Sequence, residues 1–136
     1  MNRYEFQELS RIRLRESRSL FTVGHFDGAY YLAGYSIECA LKACIARRTK
    51  RHDFPDKKAV DKSYTHNLEQ LVAAAELKPL LDAEIQTNQA FALGWAVAKD
   101  WTEESRYERR GRQQARDLLR AVGARSGVLA WVRRYW

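Results

Sequence analysis

One stretch of the chain, GAYYLAGYSIECALKA at residues 28–43, constrains the fold more than any other. Small side chains recur along it at spacings of four, three, four and three residues: Ala29, Ala33, Ser36, Ala40 and Ala43. On an α-helix this spacing forms one narrow seam. A seam of small residues lets a neighbouring helix approach closely, and the remaining faces are largely apolar. We therefore expect this helix to lie in the middle of a helical bundle.

Helical periodicity accounts for most of the chain, and no useful length of it alternates with the period of a strand. The pattern predicts five helices, over approximately residues 3–21, 27–48, 65–77, 78–101 and 109–136. Residues 48–64 form a polar loop in this prediction, and Thr65 is the expected N-cap of the third helix. The expected fold is all-α, an up-and-down bundle of four to five helices that forms a single domain over residues 1–136.

The charge balance points to a polyanionic partner. The net charge is +7, and the 17 arginines outnumber the seven lysines. Arginine pairs with phosphate through two hydrogen bonds and stacks on bases, so an arginine-rich excess favours such a partner. The alternative is a solvated surface that keeps the protein soluble.

Targeting and metal signals are missing from the sequence. No apolar run approaches the roughly 20 residues needed to cross a bilayer, and the N-terminal segment is charged. We therefore expect a cytoplasmic protein without a membrane partner. Cys39 and Cys44 lie on different faces of one predicted helix, which predicts small buried thiols and neither a disulfide nor a metal site. No cofactor is expected.

Two charged residues interrupt the apolar second helix. Glu38 and Lys42 are four residues apart and can therefore pair. A central Glu38 would also need a fixed partner from elsewhere in the chain, because a buried carboxylate is costly without one. The candidate partners are His66 or Arg106. In one interpretation Glu38, His66, Arg106 and Tyr107 meet in one polar pocket, and in the structural alternative a Glu38–Arg106 ion pair holds the bundle together.

Three motifs in order resemble the HEPN (higher eukaryotes and prokaryotes nucleotide-binding) family. They are GAYYLAGYSIECALKA, THNLEQL and the tryptophan-led WTEESRY, whose RY pair precedes the closing helix. The similarity covers most of the chain, from about residue 28 to residue 136. It implies an all-α bundle, often dimeric, that associates with nucleotides or RNA. Many members are metal-independent ribonucleases, among them toxins paired with a nucleotidyltransferase antitoxin, and others are binding or adaptor modules.

The ribonucleases of that family carry an arginine, then four to six other residues, then a histidine, near the start of the closing helix. Here Arg106 lies in the right region, but no histidine follows it at that spacing. The matches Arg47/His52 and Arg18/His25 lie elsewhere, and the arginine-rich composition accounts for them. The chain therefore departs from the catalytic pattern, unless Arg106 holds a phosphate, Tyr107 stacks or donates a hydrogen bond, and His66 moves the proton.

Arginines also recur at helical spacing on the predicted first and last helices. They are Arg11, Arg15 and Arg18, and Arg109, Arg112, Arg116 and Arg120. A basic helix face can follow a phosphate backbone, whereas the structural alternative is a solvated face balanced by Glu108 and Asp117. The expected ligand-binding residues are Glu38, Lys42, Arg109, Arg112 and Arg116. The leading hypothesis is a dimeric RNA- or nucleotide-binding protein in a toxin–antitoxin or defence system. The alternatives are a ribonuclease that uses Arg106 with His66, and a structural partner of a nucleotidyltransferase.

Overall fold

A computed structural model of the chain describes residues 1–49, 54 and 56–136. These residues form eight α-helices and one 3-10 turn (Glu103–Tyr107), and they contain no strand. The helices are α1 (Arg3–Thr22), α2 (Phe26–Arg48), α3 (Lys57–Ser63), α4 (Leu68–Ala74), α5 (Lys78–Thr87), α6 (Gln89–Ala98), α7 (Arg112–Gly123) and α8 (Val128–Val132). The expected all-α bundle is confirmed, with more and shorter helices than the four to five expected.

The predicted seam on α2 is buried along its whole length. Its five members are 0% exposed: Ala29, Ala33, Ser36, Ala40 and Ala43. Helix α1 packs antiparallel against this helix, and two of its serines donate hydrogen bonds to the α2 backbone. Ser10 Oγ reaches the carbonyl oxygen of Ser36 at 2.7 Å, and Ser17 Oγ reaches that of Ala29 at 2.6 Å. The close approach predicted from the small residues is confirmed.

The buried face of α1 is largely polar. Most apolar positions of this helix are only half-buried: Phe6, Leu9, Ile12 and Leu20. The buried positions are Gln7, Ser10, Leu14 and Ser17. Two helices at short distance leave no room for large side chains between them, and a buried hydroxyl is acceptable when it has a hydrogen-bond partner. The polar serines therefore occupy the contact, and the larger side chains lie beside it.

A second close contact lies on another face of α2. A Cβ atom at Gly34 would overlap the indole ring of Trp101, so the ring lies directly on the helix backbone. Trp101 is 1% exposed, and its ring stacks on that of Tyr31 with 6.1 Å between centroids. This contact fixes the chain between α6 and the 3-10 turn against α2.

Asparagine side chains that bond to free backbone N–H groups set helix boundaries that differ from the predicted ones. Asn88 ends α5 and its side chain accepts a hydrogen bond from the Phe91 N–H of α6 at 3.1 Å. Asn67, and not Thr65, caps α4, because its side chain accepts from the Gln70 N–H at 2.9 Å. Thr65 instead accepts a bond from the Asn67 N–H at 3.1 Å. Asparagine is a favoured N-cap because its short side chain reaches these free N–H groups.

Two further boundaries were predicted wrongly. The loop at 48–64 contains the short helix α3, which Asp56 caps, although residues 50–53 and 55 lie outside the described part of the chain. The last helix begins at Arg112 and not at Arg109, and it stops at Gly123. Gly127, expected within a continuous helix, is the N-cap of α8.

The residues of the family resemblance are brought together by this arrangement. Helix α2 contacts α1, α4, α7, α8 and the 3-10 turn, and so it occupies the centre of the bundle as predicted. Among the described residues, no helix combines the length and apolar character that a bilayer-spanning segment requires.

Candidate functional site

A buried carboxylate at the junction of α2 and α4 organises one polar cluster. Glu38 is 2% exposed, and its Oε1 accepts a hydrogen bond from Lys42 Nζ at 2.9 Å. His66 Nδ1 lies 2.9 Å from the same oxygen. Lys42 is one helical turn further along α2, and His66 directly precedes the cap of α4. The expected Glu38–Lys42 and Glu38–His66 contacts are confirmed.

Solvent reaches only part of this cluster. The His66 side chain is 47% exposed and that of Lys42 17%. The second carboxylate oxygen of Glu38 is buried and has no hydrogen-bond partner among the described residues. Any ligand at this cluster would therefore contact His66 or Lys42, while the buried Glu38 carboxylate fixes the positions of both side chains.

Arg106 does not belong to this cluster. The expected Glu38–Arg106 ion pair is not formed; the guanidinium carbon of Arg106 instead lies 5.0 Å from the ring centroid of Tyr107. Both residues belong to the exposed 3-10 turn, and the Tyr107 side chain is 81% exposed. The sequence expectation of one pocket that joins Glu38, His66 and Arg106 is wrong in this respect, because the 3-10 turn ends in solvent.

The segment after the 3-10 turn is fastened to the N-terminus of α2 by Asp27. Arg109 Nε lies 3.0 Å from Asp27 Oδ2, and the backbone N–H of Arg110 donates to Asp27 Oδ1. The Arg110 guanidinium pairs with Glu108 and covers the ring of Tyr30 at 4.7 Å. Arg109 lies before the first residue of α7, and the carboxylate of Asp27 already balances its charge.

Of the two remaining histidine matches, Arg18 and His25 do not form a pair. His25 shares a cavity of about 370 Å³ with Asp27, Arg109 and Arg110, whereas Arg18 lies against α7. Arg47 is exposed, and its Nη1 lies 3.4 Å from the carbonyl oxygen of Trp136. Its sequence partner His52 lies outside the described residues.

Both cysteines are poor nucleophiles. Burial, with the negative charge of Glu38, raises the pKa of Cys39 from 9.0 to about 12. Burial also raises the pKa of Cys44 to about 12, and its Sγ lies 3.7 Å from the carbonyl oxygen of Val132. A thiol attacks as its thiolate, so neither side chain is suited to covalent catalysis. Within the part of the chain that is described, His, Cys, Asp and Glu side chains form no group of three or more that could hold a metal ion.

The arginines predicted as a binding stripe behave in two ways. Arg112 and Arg116 lie on α7 and make no ion pair with a described residue, whereas Arg109 pairs with Asp27. Asp117 accepts a hydrogen bond from Gln113 at 2.7 Å and forms no ion pair with these two arginines. Sequence reasoning missed Asp27, whose partners are more than 80 residues away and leave no local signal.

These features define an all-α domain with a buried Glu–Lys–His cluster and an arginine-rich surface. The family model described as HEPN domain matches residues 8–135, nearly the whole of the chain. The chain therefore belongs to the HEPN family, as its motifs predicted. Searches of curated proteins and of solved structures found no match to the chain.

Proposed function

We propose that this HEPN-type domain binds RNA or nucleotides through its arginine-rich surface, without the Arg/His pair that cleaves RNA in catalytic members. One observation carries the proposal. Arg106, Arg112 and Arg116 are at least partly exposed, and none makes an ion pair with a described residue. An unpaired guanidinium group is available to a phosphate, because the phosphate displaces only counterions and does not have to replace a protein carboxylate.

A labelled single-stranded RNA tests this proposal. Fluorescence anisotropy in EDTA should show binding that weakens steeply between about 50 and 200 mM NaCl. The RNA should stay intact during the incubation. If the protein neither binds nor cleaves the RNA at low salt, the proposal is wrong, and a structural role beside a nucleotidyltransferase becomes the better explanation.

The ribonuclease alternative has one observation in its favour. His66 is held at Nδ1 by a buried carboxylate and is 47% exposed, so Nε2 is available to solvent. An imidazole oriented in this way can act as a general base. Metal-independent cleavage in EDTA that disappears in both Arg106→Ala and His66→Gln would establish the enzyme. Cleavage that persists in both variants would exclude these two residues as its catalysts.

We also propose that the protein forms a homodimer in the cytoplasm. Helix α6 supports the dimer, because it presents Leu93 and Val97 to solvent at 64% and 41% exposure. Sedimentation equilibrium should give twice the chain mass for the wild type and the chain mass for Leu93→Asp. Val23→Asp is the matched control, since Val23 is 66% exposed at the α1–α2 turn. A monomeric wild type would refute the dimer.

The family resemblance further supports a toxin–antitoxin or defence setting with a nucleotidyltransferase partner. Co-expression with a nucleotidyltransferase encoded next to this gene tests it directly. A stable complex that reduces RNA binding is the expected result, and separate elution of the two proteins would contradict it.

A further inference from the structure

Members of the two predicted arginine stripes meet in one cleft, Arg18 of α1 with Arg116 and Arg120 of α7. Helices α1 and α7 flank this open cleft of about 420 Å³, and Arg18 lines it together with Arg116 and Arg120. The Arg18 side chain reaches the end of α7, since a Cβ atom at Gly123 would lie 2.8 Å from its Nη2. The arginines of two helices that are about 100 residues apart in the chain thus share one concave surface.

No carboxylate lines this cleft. The residues that line it include no Asp or Glu, and its three arginines make no ion pair with a described residue. The positive region continues beyond the cleft. The guanidinium groups of Arg11 and Arg133 both lie over the Trp136 ring, at 4.9 and 5.4 Å from its centroid. Burial and the charges of Arg11 and Arg18 lower the pKa of Arg133.

The cleft also has an apolar part. Phe21 and Leu119 line it, and both are only half-buried. An aromatic side chain beside guanidinium groups is the combination that single-stranded nucleic acids use, because bases stack on the ring while arginines contact the phosphates. A duplex would leave the apolar surface unused, since its bases are already stacked.

We infer that the α1–α7 cleft binds single-stranded RNA, with phosphates on Arg18, Arg116 and Arg120 and a base against Phe21. This inference rests on the proposed RNA-binding function and assigns it to one place. It also predicts that Arg109 and Arg110 contribute little, because Asp27 and Glu108 already occupy them.

The test compares two double variants that remove the same charge. Arg116→Gln/Arg120→Gln changes the cleft, and Arg47→Gln/Arg48→Gln changes the distant C-terminal end of α2. Anisotropy with a labelled RNA of about 12 nucleotides measures affinity and its salt dependence. The cleft variant should bind at least about tenfold more weakly. Its slope of log affinity against log salt should be shallower by about 1.4, the value for two phosphate contacts on a single strand. The control should stay within about twofold of the wild type.

Phe21→Leu separates the base contact from the charge. It should weaken RNA binding about tenfold and leave the salt slope unchanged, because stacking is not ionic. Circular dichroism verifies that each variant is folded.

Each result distinguishes the inference from the broader function. A wild type that does not bind RNA refutes the proposed function itself. RNA binding that the two double variants weaken equally keeps that function but overturns the assignment to the cleft. Equal affinity for a duplex of the same length, or displacement of the bound RNA by an acidic polypeptide as readily as by unlabelled RNA, overturns the assignment of single-stranded RNA as the ligand and indicates another polyanion.

Discussion

Replacing Gly34 with alanine sets two known effects against each other. Gly34 lies inside α2, where alanine favours the helix by about 1 kcal/mol over glycine. The added Cβ atom would, however, overlap the Trp101 indole. Trp101 is 1% exposed and stacks on Tyr31, so the rigid ring has no free space into which it can move. Helix propensity and packing therefore predict opposite signs for the same substitution.

The packing effect should be the larger one. Inserting one methyl group into a filled core typically costs about 1–3 kcal/mol, and more where a ring or the backbone must shift. After the gain in helix propensity, we expect Gly34→Ala to lower the free energy of unfolding by about 2 kcal/mol. That change alters the ratio of folded to unfolded protein about 30-fold.

Urea unfolding, followed by circular dichroism and by tryptophan fluorescence, measures this difference. Gly94→Ala is the matched control inside α6, since the nearest atom to its new Cβ is the Ala121 carbonyl oxygen at 3.4 Å. The control should be as stable as the wild type or up to about 1 kcal/mol more stable. A Gly34→Ala protein as stable as its control, with an unchanged urea dependence, would refute the close packing of Trp101 on α2.

Four further predictions concern the same bundle. Ser17→Ala should lower the free energy of unfolding by about 1 kcal/mol, because it removes the hydrogen bond to the Ala29 carbonyl oxygen of α2. Ser17→Leu should lower it clearly more, because the larger side chain also forces α1 and α2 apart. Equal urea midpoints for the wild type and both variants would contradict this. Glu38→Gln should cost about 2 kcal/mol because it removes the charge that Lys42 faces, and an unchanged midpoint would show that the pair is not stabilising. Cys39 and Cys44 should resist iodoacetamide in the native state at about pH 8 and react in urea, since folding raises the pKa of both to about 12. The folded state favours the neutral thiols. The contribution of the two cysteines to the free energy of unfolding should therefore be constant below pH 9.0 and should fall as the pH rises from there towards about 12. Urea unfolding at a series of alkaline pH values measures this loss.

The polar cluster was predictable in part. The spacing of Glu38 and Lys42 within one helix indicates their contact, and the need of a buried carboxylate for a partner led to His66. The same reasoning suggested Arg106 equally well, because composition and spacing contain no information on which distant residue reaches a buried group. The position of the 3-10 turn, which the contact of Trp101 with α2 helps to fix, decided between them.

The sequence by itself determined the all-α class and the central, closely packed position of α2, because the spacing of small residues along one helix is a local property. Only the tertiary structure decided which partners cross between helices. It buried Ser10 and Ser17 of α1, joined Asp27 to Arg109, and brought Arg18 beside α7. These contacts depend on how whole faces pack against each other, and residues far apart in the chain carry no mutual spacing from which that packing could be predicted.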